Sequence, residues 1–167
     1  MATMRVDQQD EGFTLVELMV TMIIAGILMA IGMFTFANYL KISQQRGTAR
    51  EVVSLFRTAS ERSISEGRTY CVDIAADGRS ATTYRYTCDP ASLALTKYKT
   101  QSAKVTISAA VTNPPTPPAC PAGHQCVYFY PRGTATPTTA TIASAVRSKT
   151  YTVTVEGLTA RVYSPDF

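Results

Sequence analysis

From Leu18 to Phe36 the chain carries no charged side chain, and its only hydroxyls are Thr21 and Thr35. A helix over these 19 residues would be roughly 28 Å long, about the thickness of a bilayer's hydrocarbon core. Beyond Asn38 the pattern changes. Ile42, Ala49, Val52, Val53, Phe56, Ala59 and Ile64 recur at spacings near three, four and seven, which predicts one apolar stripe on an amphipathic helix. Arg46, Arg50, Glu51, Arg57, Glu61, Arg62 and Glu66 lie between them and read as a solvated face. Proline is absent from Phe13 to Glu66, so one helix is expected to run through both patterns, with Gly67 as its left-handed cap. Gly26 and Gly32 interrupt the apolar half. They are either contact points for a neighbouring helix or merely tolerated.

After Gly67 the period becomes two. Arg68–Ile74 and Arg79–Tyr86 are expected strands, joined through Asp77-Gly78, a strong hairpin signal. Leu93–Tyr98 and Val105–Ser108 are weaker strands. Asn113–Pro118 must be a loop, because its prolines leave too few amides for a ladder. Val127–Tyr130, Thr138–Ile142, Thr150–Glu156 and Thr159–Tyr163 complete the expected sheet. The predicted class is α+β: one long N-terminal helix, apolar then amphipathic, packed on an antiparallel β-sheet body. The segments are 1–12 as a leader, 13–40 as a membrane or filament-core helix, 41–67 as the amphipathic helix and 68–167 as the body.

Composition changes this picture little. The chain of 167 residues has net charge +4, with 16 Lys and Arg against 12 Asp and Glu. The basic excess is compatible with an anionic partner without identifying one. Four cysteines behind a membrane-targeting segment point to an oxidising compartment and two disulfides. Cys71 with Cys88 and Cys120 with Cys126 is the favoured pairing. The hairpin register sets Cys71 opposite Tyr84, so the first bond needs a bend after Tyr86. The crossed pairing, Cys71 with Cys126 and Cys88 with Cys120, stays open.

One carboxylate, Glu17, stands immediately before the uncharged run. A charge beside a membrane segment calls for a partner. The surrounding residues, Gly12-Phe13-Thr14-Leu15-Val16-Glu17-Leu18, resemble the processing site of type IV prepilins and the related pseudopilins at every position. The resemblance implies that a prepilin peptidase cuts between Gly12 and Phe13 and N-methylates Phe13. A glycine there puts no Cβ between backbone and peptidase. Cleavage would free an amine at Phe13, and the family's glutamate, Glu17 here, pairs with that amine on a neighbouring subunit. An ordinary secretory signal fits less well. Arg5 is outnumbered by Asp7, Asp10 and Glu11 before the run, and no small-x-small site follows it. The first cations past the run are Lys41, Arg46 and Arg50, against the positive-inside rule. The expected topology, with the body outside the cytoplasmic membrane, therefore comes from the resemblance.

The last third carries a second resemblance. Phe129-x-Pro131-x-Gly133, then Tyr151-x-Val153-x-Val155-x-Gly157 and Arg161-x-Tyr163, is similar to the C-terminal pattern of the GspH/FimT group, the H-type pseudopilins and minor pilins. It implies a minor subunit of a type IV pilus or a type II secretion pseudopilus, with other pilins as partners and a membrane-held state before assembly.

No catalytic constellation is visible, so no enzyme is expected. The single histidine, His124, lies between Cys120 and Cys126. Those three residues lack a fourth ligand motif for zinc, so neither metal nor cofactor is expected. The alternative function is DNA binding in natural transformation. Its candidate contacts are Arg132, Arg147, Lys149 and Arg161, with Tyr151 and Tyr163 for stacking. A third reading, a signal-anchored secreted enzyme or adhesin, predicts no cleavage at Gly12.

Overall fold

The structure, a computed structural model, describes residues 14–89, 91–100, 102–112 and 120–166, the side chains of Phe34 and Arg147 excepted. The expected leader, Phe13 and the proline-rich loop lie outside these residues. Among the described residues, helix α1, Leu15–Ser65, precedes nine strands. They are β1 Tyr70–Ile74, β2 Ser80–Arg85, β3 Ala94–Lys99, β4 Val105–Val111, β5 Gln125–Tyr130, β6 Thr134–Ala135, β7 Thr138–Ser144, β8 Arg147–Val155 and β9 Val162–Tyr163. The chain divides into two compact units, Met1–Leu40 and Lys41–Phe167, with the boundary inside α1.

In the first unit every described side chain from Thr14 to Leu40 is exposed. This stretch makes α1 long and apolar enough to cross a membrane, with a mean hydropathy of 2.3 over its most apolar window. The Thr21 hydroxyl donates to the Leu18 carbonyl at 2.9 Å, and that of Thr35 to the Ile31 carbonyl at 3.3 Å. Both hydroxyls are thus satisfied inside their own helix, as an apolar surrounding requires. A Cβ added at Gly26 or Gly32 would meet nothing within 4 Å. No contact among the described residues asks for a small side chain at either position.

In the second unit the helix buries Ala49, Val52, Val53, Leu55, Phe56 and Ala59. The predicted stripe is buried from Ala49 to Ala59, but Ile42 at its start is only half-buried and Ile64 at its end is exposed. At about 100° of rotation per residue, Ile64 lies about 140° round the helix from Ala59, and Ser63 only about 40°. Ser63 takes the inward position, its hydroxyl within reach of the Ser60 and Tyr130 carbonyls at 2.7 and 3.3 Å. The helix closes in a Schellman motif. Arg68 N–H donates to Ser63 C=O at 3.2 Å and Gly67 N–H to Ile64 C=O at 3.4 Å. Gly67 takes φ +62°, which glycine tolerates without a Cβ penalty.

All strand pairs are antiparallel, but they form two sheets rather than the one expected. One runs β3-β2-β1-β5-β6 and the other β4-β7-β8-β9. Alternation shows which face of a strand is apolar and says nothing of its neighbour. Strand β5 returns to pair with β1, with Val72 opposite Val127, while β4 leaves to start the second sheet with β7. The short strand β6 was not expected, since two residues show no period. Helix and both sheets share one core, in which Phe56 meets Phe129 with ring centroids 6.0 Å apart. Each such large side chain contributes about 1.5–3 kcal/mol by burial. Gly78 in the β1–β2 turn joins the sheets. Ile107 N–H donates to its carbonyl at 2.7 Å, and a Cβ there would come 2.6 Å from the Ile107 oxygen.

Candidate functional site

At the start of α1, Thr14 acts as the N-cap. Its hydroxyl accepts the Glu17 N–H at 3.3 Å, and its carbonyl accepts the N–H groups of Glu17 and Leu18 at 3.1 and 3.2 Å. The spacing of a capping box is therefore used on the threonine side. The Glu17 carboxylate is exposed in the first turn, where the helix dipole favours an anion. It has no partner among the described residues. Gly12 and Phe13 lie outside them.

The structure pairs Cys71 with Cys88, Cα atoms 5.4 Å apart, and Cys120 with Cys126, 5.7 Å apart. Cys71 faces Tyr84 in the ladder, as the hairpin register required. The bend that brings Cys88 back begins at Tyr86, which takes φ +74° and donates its N–H to the Thr69 carbonyl at 2.9 Å. The sulfurs of Cys71, Cys88 and Cys126 all lie within 4.8 Å of one another. The bonds thus form a second small core with Tyr128 on the far face of the first sheet. Burial pushes the Tyr128 hydroxyl above its usual range.

Sequence reasoning missed the partner of His124. Its Nδ1 lies 2.8 and 3.0 Å from the two carboxylate oxygens of Asp73. Asp73 is buried in β1 opposite Cys126. Asp73, Cys120 and Cys126 have the spacing of metal ligands, yet the two sulfurs bond one another here. A disulfide sulfur is not the thiolate that holds a metal. Strand β1 is buried at all five positions, so alternation could not single out its carboxylate.

At the other end of that sheet Glu66 pairs with Arg85 at 3.1 Å beside the buried Tyr70. The Tyr70 hydroxyl, and then against some burial Arg85, Arg62 and Arg68, hold the Glu66 carboxyl below its usual range. The Tyr70 oxygen has no well-formed hydrogen bond, so we read its pull on Glu66 as short-range electrostatics. Burial first, and Glu66 second, push Tyr70 up.

Among the described side chains, the cations proposed for DNA do not form one cluster. Arg132 is exposed in the β5–β6 turn. Lys149, in β8, lies 5.3 Å from the Tyr151 ring centroid. Arg161 lies 5.8 Å from that of Tyr163, and Tyr163 pairs with Thr154 at the far end of β8. Five residues of strand, roughly 17 Å, therefore separate the level of Lys149 from that of Tyr163. Arg147 opens β8. A different cleft, about 590 Å³, is lined by Arg50, Arg57, Glu61 and Tyr163, with the Arg57 guanidinium donating to the Val162 carbonyl at 3.3 Å.

Comparison with known proteins bears on this arrangement. Residues 8–33 match the prokaryotic N-terminal methylation motif, and residues 48–159 match the family described as type II transport protein GspH. No curated protein sequence matches the chain. Among solved structures, the minor pseudopilin EpsH from the type 2 secretion system of Vibrio cholerae is similar at 18% identity. Its TM-score is 0.56, over 74% of this chain and 99% of that one. The type IV minor pilin FimU of Pseudomonas aeruginosa is similar at 14% identity, with a TM-score of 0.57 over 75% and 91% of the two chains. These likenesses speak for the fold: a long N-terminal helix on antiparallel sheets. The family and these neighbours are pilin-type structural subunits and not enzymes. With most of its length matched by one family model and its N-terminal helix by the methylation motif, the chain belongs to the GspH family of pilin-like subunits.

Proposed function

We propose that the chain is a minor subunit of a type IV pilus or a type II secretion pseudopilus, cut after Gly12 and N-methylated on Phe13. Before assembly, the apolar part of α1 holds it in the cytoplasmic membrane with the body on the outer side. In the filament the same surface exchanges lipid for neighbouring apolar helices. One observation carries this reading. The only carboxylate in an otherwise uncharged helical stretch, whose described side chains are all exposed, is Glu17, set in the first turn with no partner among the described residues. In lipid or among packed helices, an unpaired carboxylate costs several kcal/mol (roughly, per ion). An amine released at Phe13 of the next subunit supplies its counter-charge and sets the register. The test is Glu17→Ala in the producing cell. Cleavage should continue while entry into sheared filaments falls; normal entry would remove the counter-charge role.

Support for DNA binding is thinner. Lys149 and Arg161 each lie beside an aromatic ring, but at well-separated levels of the second sheet, so no single basic face follows.

A further inference from the structure

Directly after the apolar run, Lys41 and Gln44 of α1 line a cleft of about 180 Å³ with Ser102 and Lys104 of the β3–β4 loop and Ser144 and Val146 of the β7–β8 hairpin. The pieces are tied together. Ala145 N–H donates to the Lys104 carbonyl at 2.9 Å. The Gln45 amide donates to the Lys149 carbonyl at 2.6 Å and to the Ile142 carbonyl at 3.2 Å. Lys104 and Lys149 are exposed and Lys41 half-buried. None of the three meets a carboxylate among the described residues, and no carboxylate lines the cleft. Asp77, in the β1–β2 turn, does not line the cleft and accepts the Arg79 backbone N–H at 2.9 Å. At the hairpin apex Val146 is 42% exposed, and Arg147 follows it in the chain.

We propose that this end of the body, Lys41 and Lys104 beside the apex valine with Lys149 on the adjoining strand β8, seats on an anionic phospholipid surface. The inference rests on the membrane-held state proposed above. Lys41, which lines the cleft, follows Leu40 directly in the chain. Tyr39, just before, is of the type enriched at the headgroup layer. Lysines near such a surface attract anionic headgroups, and an exposed valine beside them gains by entering the interface. A nucleic acid would use the cations and leave the valine without a role. The seat also accounts for Lys41, the first cation past the apolar run, against the positive-inside rule. Its partner is the lipid of the outer leaflet, held until the subunit is extracted.

The chain contains no tryptophan, so Val146→Trp gives the apex a unique probe. The full-length variant is placed in phosphatidylcholine vesicles with and without phosphatidylglycerol, each with brominated acyl chains as quencher. With the anionic lipid the emission should shift to the blue and be quenched; without it, it should stay that of a water-exposed indole. Partition of the apex should weaken about fivefold for each of Lys41→Gln, Lys104→Gln and Lys149→Gln, and further with salt. Water-exposed emission in anionic vesicles, or quenching indifferent to the three substitutions, overturns the seat. Leu28→Trp in the apolar run separates this from the premise. Its quenching in both lipids with no response at position 146 means only the seat is wrong; if it too is water-exposed, the membrane-held state fails and the seat falls with it. An emission change on adding duplex DNA instead of vesicles, lost with the same substitutions, would assign the surface to nucleic acid and also overturn the proposal.

Discussion

The side-chain amide of Gln45 reaches 2.6 Å to the backbone carbonyl of Lys149, more than a hundred residues away in the chain. Gln45 is fully buried in the helix face, and the same amide donates to the Ile142 carbonyl. Gln45→Ala should therefore leave the β7–β8 hairpin less firmly held and lower the stability of the chain by about 2 kcal/mol. Urea unfolding in detergent measures it. A change within the scatter of surface substitutions would mean the amide is dispensable.

The two disulfides close loops of different length, with sequence separations of 17 and 6. In the chain-entropy account the longer loop stabilises by about 3 kcal/mol and the shorter by about 2. The double variant Cys71→Ser with Cys88→Ser should lose more stability than Cys120→Ser with Cys126→Ser. The reverse order in denaturant titrations would show that the small loop has a packing role beyond closure.

Asp73 and His124 form a partly buried pair that pins the Cys120–Cys126 loop to β1. Removing the imidazole leaves a buried carboxylate without its partner. A double-mutant cycle on Asp73→Asn and His124→Ala should return a coupling of about 1–3 kcal/mol. Simple additivity of the two losses would show that the contact carries no free energy.

Glu66 has a folded-state pKa below its unfolded value, held there first by the Tyr70 hydroxyl and then by arginine charges. Its contribution is therefore present above the unfolded carboxylate pKa, about 4.3, and is lost as pH falls through the folded value. Glu66→Gln should be slightly less stable than the parent near neutrality, with the two curves converging in acid. A gap that persists or widens below about pH 4 would contradict this.

Much of the fold was legible because the sequence changes period where the structure changes element. The Asp77-Gly78 hairpin, the Gly67 cap and the bend required after Tyr86 each follow from a local rule, and each is present. Sheet membership was not legible. The apolar alternation of β4 and β5 is the same whether they neighbour each other or, as here, belong to different sheets. No local pattern singles out Gln45 or Asp73, and only tertiary contacts show that they are buried linkers. The cations of the lipid seat were hidden for a similar reason. Lys41, Lys104 and Lys149 lie far apart in sequence; the cleft that Lys41 and Lys104 line, with the Ala145–Lys104 and Gln45–Lys149 backbone hydrogen bonds, brings their segments to one end of the body. By contrast, Glu17 needed no fold to stand out, as a lone carboxylate beside an uncharged run.

Glu17 has its proposed partner only if the chain is cut to expose Phe13. Mass spectrometry of the N-terminal peptide from the producing cell tests this most directly. The account predicts a mature chain that starts at Phe13 with a methyl group on its α-amine. A chain still carrying residues 1–12, or one cut elsewhere, would contradict it.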